Sequence, residues 1–264
     1  MRRTDAAAPL LVWAYKPHAC VRQGADSCFM DPTDAARAVV DEHHPEARAA
    51  FLGGSVLTGR RTPMSDLDIV VLLNGVPAPY RASFRHDDWP VELFVHTEAS
   101  WFAYVEREVR KRRSPLLCMC ADGVLLFDAD GVGARLAAEA RKLATAGPPN
   151  VSVEEIDDLR YGITDLLDDL SGSTDQGERL FIAVELARRT SELALAIGGS
   201  WSGGGKWMAR RLELTAPGLS MRLHDAVQEM LAGQVGSLVD VVDEVLGQAG
   251  GRLWDGYKRG DVAP

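Results

Sequence analysis

The stretch Phe51–Val71, FLGGSVLTGRRTPMSDLDIVV, constrains this chain more than any other. An apolar pair, Phe51–Leu52, enters a glycine–serine turn, Gly53-Gly54-Ser55. A polar excursion follows, and then an apolar segment that opens with two carboxylates two residues apart, Asp66 and Asp68. Strand side chains alternate faces, so Asp66 and Asp68 point one way while Leu67 and Ile69 point into a core. Two carboxylates held on one face at that spacing repel each other unless a cation lies between them. Glu92, inside the apolar run Val91–Val95, offers a third carboxylate from a second strand.

Three acids on neighbouring strands beside a Gly-Ser turn suit a pair of Mg²⁺ ions gripping a nucleoside triphosphate, one activating the attacking oxygen and the other steadying the leaving pyrophosphate. Glycine at Gly53 and Gly54 lets the backbone approach a phosphate closely, and Ser55 supplies a hydroxyl and a backbone N–H. Asp-Leu-Asp alone reads equally as a solvated strand end, and Gly-Gly-Ser as an ordinary turn; the features together and in this order argue against both. A P-loop is excluded, although Gly54 and Gly59 have its spacing. Arg60 and Arg61 stand where its lysine and its metal-binding hydroxyl belong.

Gly54-Ser55, ten intervening residues, Asp66-Leu67-Asp68, and then Glu92 between apolar neighbours resemble the DNA polymerase β-type nucleotidyltransferases. Within that superfamily the chain is most similar to small bacterial members with an appended helical domain, such as the aminoglycoside adenylyltransferases. The resemblance spans about Ala49–Val95 and is only suggestive beyond it. It implies an α+β chain, a nucleotidyltransferase α/β core with a mixed sheet and flanking helices followed by a C-terminal α-helical bundle. It also implies two Mg²⁺ ions, ATP or another NTP as substrate, and transfer of a nucleoside monophosphate to a hydroxyl of a small, cationic acceptor such as an aminoglycoside. Asp66 and Asp68 then hold metal, and Glu92 is a third ligand or the base on the acceptor. Ser65 matches the small polar residue before the family's first aspartate. Leu186-Ala187-Arg188 and Lys206 match a helix and a later lysine that face the nucleotide, at a longer separation than in the family. The alternatives are an antitoxin-like enzyme that adenylylates a protein, and a non-catalytic nucleotide-binding module; the second would be marked by a missing acid, and none is missing.

The remaining composition narrows the partners. A net charge of −9 on 264 residues opposes binding to a duplex phosphate backbone, so no nucleic-acid partner is expected. The four cysteines, Cys20, Cys28, Cys118 and Cys120, follow no zinc spacing and suit a reducing cytoplasm. No apolar stretch approaches the ~18 residues of a membrane span, and the N-terminal residues carry no recognisable signal-peptide cleavage site.

Three regions are expected: an extension over 1–30, a nucleotidyltransferase domain over 31–147, and a helical substrate- and nucleotide-binding domain over 151–264, divided at Gly147-Pro148-Pro149-Asn150. In the first domain, a helix starts at Asp31-Pro32. Its end carries His43-His44, which adjacent helical positions keep from converging on one metal. A strand over Ala49–Leu52 leads to a short helix over Val56–Arg61, whose Arg60 and Arg61 are placed to reach phosphates. Strands over Asp66–Leu73 and Val91–Val95 are separated by a polar connection, 77–88. A helix over Glu98–Arg113 follows, capped by Thr97; its Trp101 either lines the acceptor pocket or packs in the core. A strand over Val124–Phe127 ends in a second Asp-x-Asp, Asp128 and Asp130, read as a turn rather than a catalytic pair. A helix over Val132–Ala146 closes the domain.

Beyond the boundary the period becomes helical. A capping box of Ser152 and Glu155 opens a helix to Leu170, whose acidic side aligns Asp158, Asp165 and Asp169, either as a solvated face or as a site for a polyamine-like acceptor. Then come a helix over Glu178–Ile197, a flexible glycine loop Trp201–Trp207 presenting Lys206, and helices over Leu219–Leu231 and Val235–Leu246.

Overall fold

Apolar alternation lays down the sheet. In β1 (Ala49–Gly53) and β2 (Leu67–Leu73) nearly every side chain is buried, as expected of strands covered on both faces. β4 (Trp89–Thr97) alternates, burying Val91, Leu93 and Val95 on one face and turning Glu92 and Phe94 to the other. With β3 (Tyr80–His86) and β5 (Val124–Asp128) they form one mixed sheet in the order β3-β4-β2-β1-β5. β2 and β4 run parallel, and the remaining neighbours are antiparallel. The computed structural model describes residues 30–260, so the expected extension lies outside them but for its last residue, and the described residues from Pro32 onward form one compact unit.

Each face has its own core. α1 (Pro32–His43) lays Ala35, Ala36, Val39 and Val40 on Leu52, Ile69 and Val71. On the other face, Phe51, Val70 and Leu72 pack under α2 (Glu98–Arg110), α3 (Pro115–Asp122) and α4 (Val132–Ala146). A third core is wholly helical: α5 (Val153–Gly172), α6 (Gln176–Ile197), α7 (Lys206–Thr215), α8 (Leu219–Leu231) and α9 (Gly236–Gln248) bury Ile163, Leu186, Leu212, Leu223, Val242 and their neighbours together. No helix among the described residues is long and apolar enough to cross a membrane.

The helix caps follow the sequence closely. Thr97 and Ser100 make a reciprocal capping box at α2, and Ser152 and Glu155 make one at α5. Five elements differ from expectation. The polar connection contains β3, whose residues alternate half-buried and exposed because it is an edge strand with one face open to water. The short helix after β1 is a single 3-10 turn, Ser55–Leu57, cut off where Thr58 becomes extended. α2 stops at Arg110, because Arg112 takes a left-handed φ of 53°. α3 then begins with Pro115 at its first position, and the Glu108 carboxylate accepts from Ser114 Oγ (2.9 Å) and the Leu116 amide (3.2 Å). Finally, the glycine loop leads directly into α7, a helix whose one fully buried side chain is Leu212.

Trp101 is the largest fully buried side chain, and its indole donates to Cys120 Sγ at 3.3 Å. Trp101→Ala should therefore cost about 3–5 kcal/mol in urea unfolding. Phe181→Ala, at a residue 75% exposed on α6, should stay within about 0.5 kcal/mol.

Candidate active site

The parallel pairing of β2 with β4 sets Asp68 opposite Glu92. Asp66, just before β2, completes the group, and the carboxylate oxygens of Asp66, Asp68 and Glu92 lie within 4.8 Å of one another. The pKa of Asp68 is pushed up to about 6, first by burial and then by the charges of Asp66 and Glu92; Lys206 and Arg81 oppose the shift. Three half-buried carboxylates with only oxygen donors match what a hard divalent cation such as Mg²⁺ takes.

β1 pairs Gly53 with Asp68 and so brings the glycine turn under the acids. Gly54 has φ +81°, and a Cβ there would sit 2.0 Å from Asp68 Oδ2. Only glycine satisfies both the backbone angle and that approach. At Gly53 a Cβ would meet the side chain of Met119 on α3 at 2.7 Å. Ser55 is buried, with its Oγ 3.3 Å from Ser65 Oγ, and Ser65 Oγ in turn accepts from the Thr62 amide at 3.0 Å. From the helical part of the chain, Lys206 Nζ donates to Ser55 Oγ at 3.1 Å. The turn, the acids and the lysine therefore meet in one place.

Two contributions were not anticipated. Arg81 on β3 donates to Glu92 Oε2 at 2.5 Å and lies over the Phe94 ring at 4.7 Å; the alternation of 80–86 was the signal that would have found it. The other is the support of the lysine loop. Ser202 N donates to Arg112 O at 2.7 Å, the Arg112 guanidinium reaches both oxygens of Glu155, and Arg113 packs against Gly204, where a Cβ would come within 2.8 Å of its Nη2. Arg112 and Arg113, just beyond α2, thus hold the loop that delivers Lys206.

Other candidate residues have surroundings of their own. Arg60 is exposed, and Arg61 covers the Trp89 ring at 4.7 Å. Arg188 is bonded to Glu185 and Glu192 on its own helix, which already use its charge. Trp101 belongs to the core and lines no acceptor pocket, because α2 turns it inward against α3. Asp158 accepts from Tyr257 at 2.9 Å and pairs with Arg259 at 2.9 Å. Asp165 is half-buried and Asp169 exposed on the same helix. The C-terminal segment lies along this helix, with Tyr257 stacked on Tyr161 at 4.0 Å and Arg160 bonded to the Gly250 and Gly251 carbonyls. Asp128 caps α4 through the amides of Gly133 and Ala134, as its position after a strand suggested. His43 and His44 diverge, the former toward His86 and the latter onto Tyr80.

This mixed sheet with flanking helices and a helical C-terminal part is a nucleotidyltransferase-like fold. Residues 34–113 match the nucleotidyltransferase domain family. The match takes in the glycine turn and all three acids. Among solved structures, the chain is similar to a nucleotidyltransferase-like protein from Exiguobacterium sibiricum 255-15, with a TM-score of 0.43 and 10% identity over 83% of this chain and 77% of that one. A comparison with curated protein sequences finds no match.

The charge cluster makes a pH prediction. The pKa of Asp68 rises on folding from 3.8 to about 6, so between those values the native state holds a proton that the unfolded chain gives up. Stability from this group is complete below about pH 4 and is lost as pH rises through about 6. In metal-free protein, Asp68→Asn should be more stable than wild type by about 1–3 kcal/mol at pH 7 and no more stable at pH 4. Urea unfolding at the two pH values checks this, and an equal difference at both would contradict it. Gly54→Ala should unfold more easily than wild type at either pH and bind nucleotide poorly, because its methyl group displaces the Asp68 carboxylate.

Proposed function

We propose that this enzyme transfers a nucleoside monophosphate, AMP from ATP, to a hydroxyl of a small acceptor. The observation that carries the reading is the Lys206–Ser55 bond beside the three-acid cluster, since it joins a phosphate-sized cationic clamp to a metal-type donor set. The core over 31–147 and the helices over 151–264 then act as two domains that share the nucleotide.

Asp66, Asp68 and Glu92 would hold two Mg²⁺ ions, which supply positive charge to the attacking oxygen and the departing pyrophosphate. The protein's own part is positioning. The Gly53–Gly54 backbone lets the triphosphate approach, Ser55 donates to it, and Ser65 keeps the Ser55 hydroxyl turned toward it. Lys206, the first residue of α7, brings its own charge together with a helix N-terminus, so both favour the anion. Arg60, exposed on the same excursion, is free to swing toward the outer phosphate. The acceptor oxygen forms its bond to the α-phosphorus as the bond to the bridging oxygen breaks and pyrophosphate leaves. The hydroxyl proton passes to the acid cluster, with Glu92 serving as base or as third ligand.

Pyrophosphate release should be measured with each of the four NTPs and Mg²⁺, against a panel of hydroxylated amines that includes aminoglycosides. Release with one acceptor should fall at least about 10³-fold in Asp66→Ala, and Lys206→Ala should raise KM for the NTP about tenfold or more. Release undiminished in Asp66→Ala, or no release with any acceptor, would reject the reading.

A further inference from the structure

A second group of metal-type donors lies on the opposite face of the sheet from the Arg81–Glu92 pair. β3 turns Tyr80, Ala82 and Phe84 toward the core under α1, while Arg81 leaves by the other face to bond Glu92. His86 continues the first series, since side chains two apart share a strand face. It thereby meets the last turn of α1, where Glu42 and His43 stand. One ligand atom each from Glu42, His43 and His86 lies within 4.8 Å of the other two. Neighbouring helix positions point about 100° apart. His43, however, is the last residue of α1, and the longer Glu42 side chain reaches His86 as well.

The spacing of these groups is close to that around a bound ion. Glu42 Oε2 is 3.3 Å from His86 Nδ1. Zinc bonds to nitrogen and oxygen of about 2.0–2.1 Å, set at a tetrahedral angle, place two ligand atoms roughly 3.3–3.4 Å apart. This pair already has that separation. The His43 ring rests against Phe84 at 4.6 Å, and rotation of this exposed side chain closes the triangle. Asp87 Oδ2 lies 3.9 Å from His86 Nε2, the ring nitrogen for which metal-bound imidazoles ordinarily have a carboxylate partner. A tight hairpin fixes His86: it pairs with Trp89 across the turn, and Asp87 takes a left-handed φ of 49°. The C-terminal end of a helix carries partial negative charge, which favours a cation at His43.

The donors select the metal. Imidazole nitrogens suit Zn²⁺ and related transition metals, whereas Mg²⁺ takes oxygen. Two imidazoles and one carboxylate leave the fourth tetrahedral position to water. We propose that Glu42, His43 and His86 bind a transition-metal ion of the Zn²⁺ type, which staples the end of α1 to the edge strand β3. The site is independent of the three-acid cluster and of the transfer reading. Just past α1, His44 Nε2 and Tyr80 Oη are 2.6 Å apart at the start of the same strand. The metal therefore fixes the other end of the strand that carries Arg81. A plain ion pair between Glu42 and a protonated His86 is the competing account, and it uses neither a metal nor His43.

Co²⁺ is the probe, because its visible spectrum is intense in tetrahedral and weak in octahedral coordination. It is titrated into the full chain, free of any affinity tag. The wild-type chain should develop the tetrahedral spectrum and saturate at one ion per chain; Zn²⁺ should abolish the spectrum and excess Mg²⁺ should not. His86→Gln, and His43→Gln at an exposed residue, should each weaken Co²⁺ binding at least about tenfold, since losing even a partner of a ligand costs that much. Asp68→Asn should leave it unchanged. Zn²⁺ should raise the Tm of the wild type and of Asp68→Asn but not of His43→Gln. Wild-type affinity in either histidine variant overturns the site. So does loss of the spectrum in Asp68→Asn, or a wild-type chain that gives only an octahedral spectrum or none.

Discussion

Repulsion among Asp66, Asp68 and Glu92 is the constraint around which the rest of this molecule is arranged. Parallel strands in register hold the last two side by side, and a glycine with no side chain lets the turn after β1 pass directly beneath Asp68. Burial makes the repulsion costly, as the raised pKa of Asp68 shows. A fold that keeps such a cluster is expected to be less stable than one carrying an amide in its place, and a cation bound among the three would reverse the sign. Stability and chemistry are in direct opposition at these residues, as expected where a site is built for a ligand of the opposite charge.

The protein's own counter-charges come from two separate elements, one near in the chain and one distant. Arg81 arrives through the register of an edge strand. Lys206 arrives from a helix of the C-terminal part, at the end of a glycine loop braced by Arg112 and Arg113. Each lowers the pKa of Asp68. Because Lys206 also bonds Ser55, the loop ties the helical part of the chain to the phosphate-facing edge of the sheet, and that link depends on the left-handed turn at Arg112 as much as on the lysine.

Legibility in the sequence followed the range of the interactions. The acids, the glycine turn and the capping boxes at Thr97 and Ser152 are decided within a few residues, and they could be read directly. β3 was passed over, because the alternation of Tyr80–His86 is between half-buried and exposed residues and the segment passes for a polar connection. α7 was hidden because three glycines precede it and it buries only one side chain fully. The acidic side of α5 suggested a cationic ligand, yet partners for it come from residues roughly ninety positions further on: Arg259 pairs with Asp158, to which the Tyr257 hydroxyl also donates, and Arg252 reaches Asp168. Nothing local to α5 announces that cover. Trp101 posed the same problem in reverse, because a tryptophan near the acids in sequence can face either the pocket or the core, and only the packing of α2 on α3 decides it.

The net charge of −9 acquires a different meaning once the charges are placed. Four of the acids of α5 are answered within the chain, Asp158 and Asp168 by the C-terminal Arg259 and Arg252, Asp157 by Arg160 and Glu155 by Arg112. The unanswered negative charge that matters is concentrated at the three-acid cluster, and the positive charge around it is divided unequally. Toward β1 it meets a lysine, a hydroxyl and a helix N-terminus, a setting that attracts phosphate. Toward β3 it meets one arginine already paired with Glu92. On the proposed transfer reading, a triphosphate entering such a cleft would lie with its phosphates toward Ser55 and Lys206. In-line transfer requires that same polarity, because the attacking oxygen must stand opposite the leaving pyrophosphate.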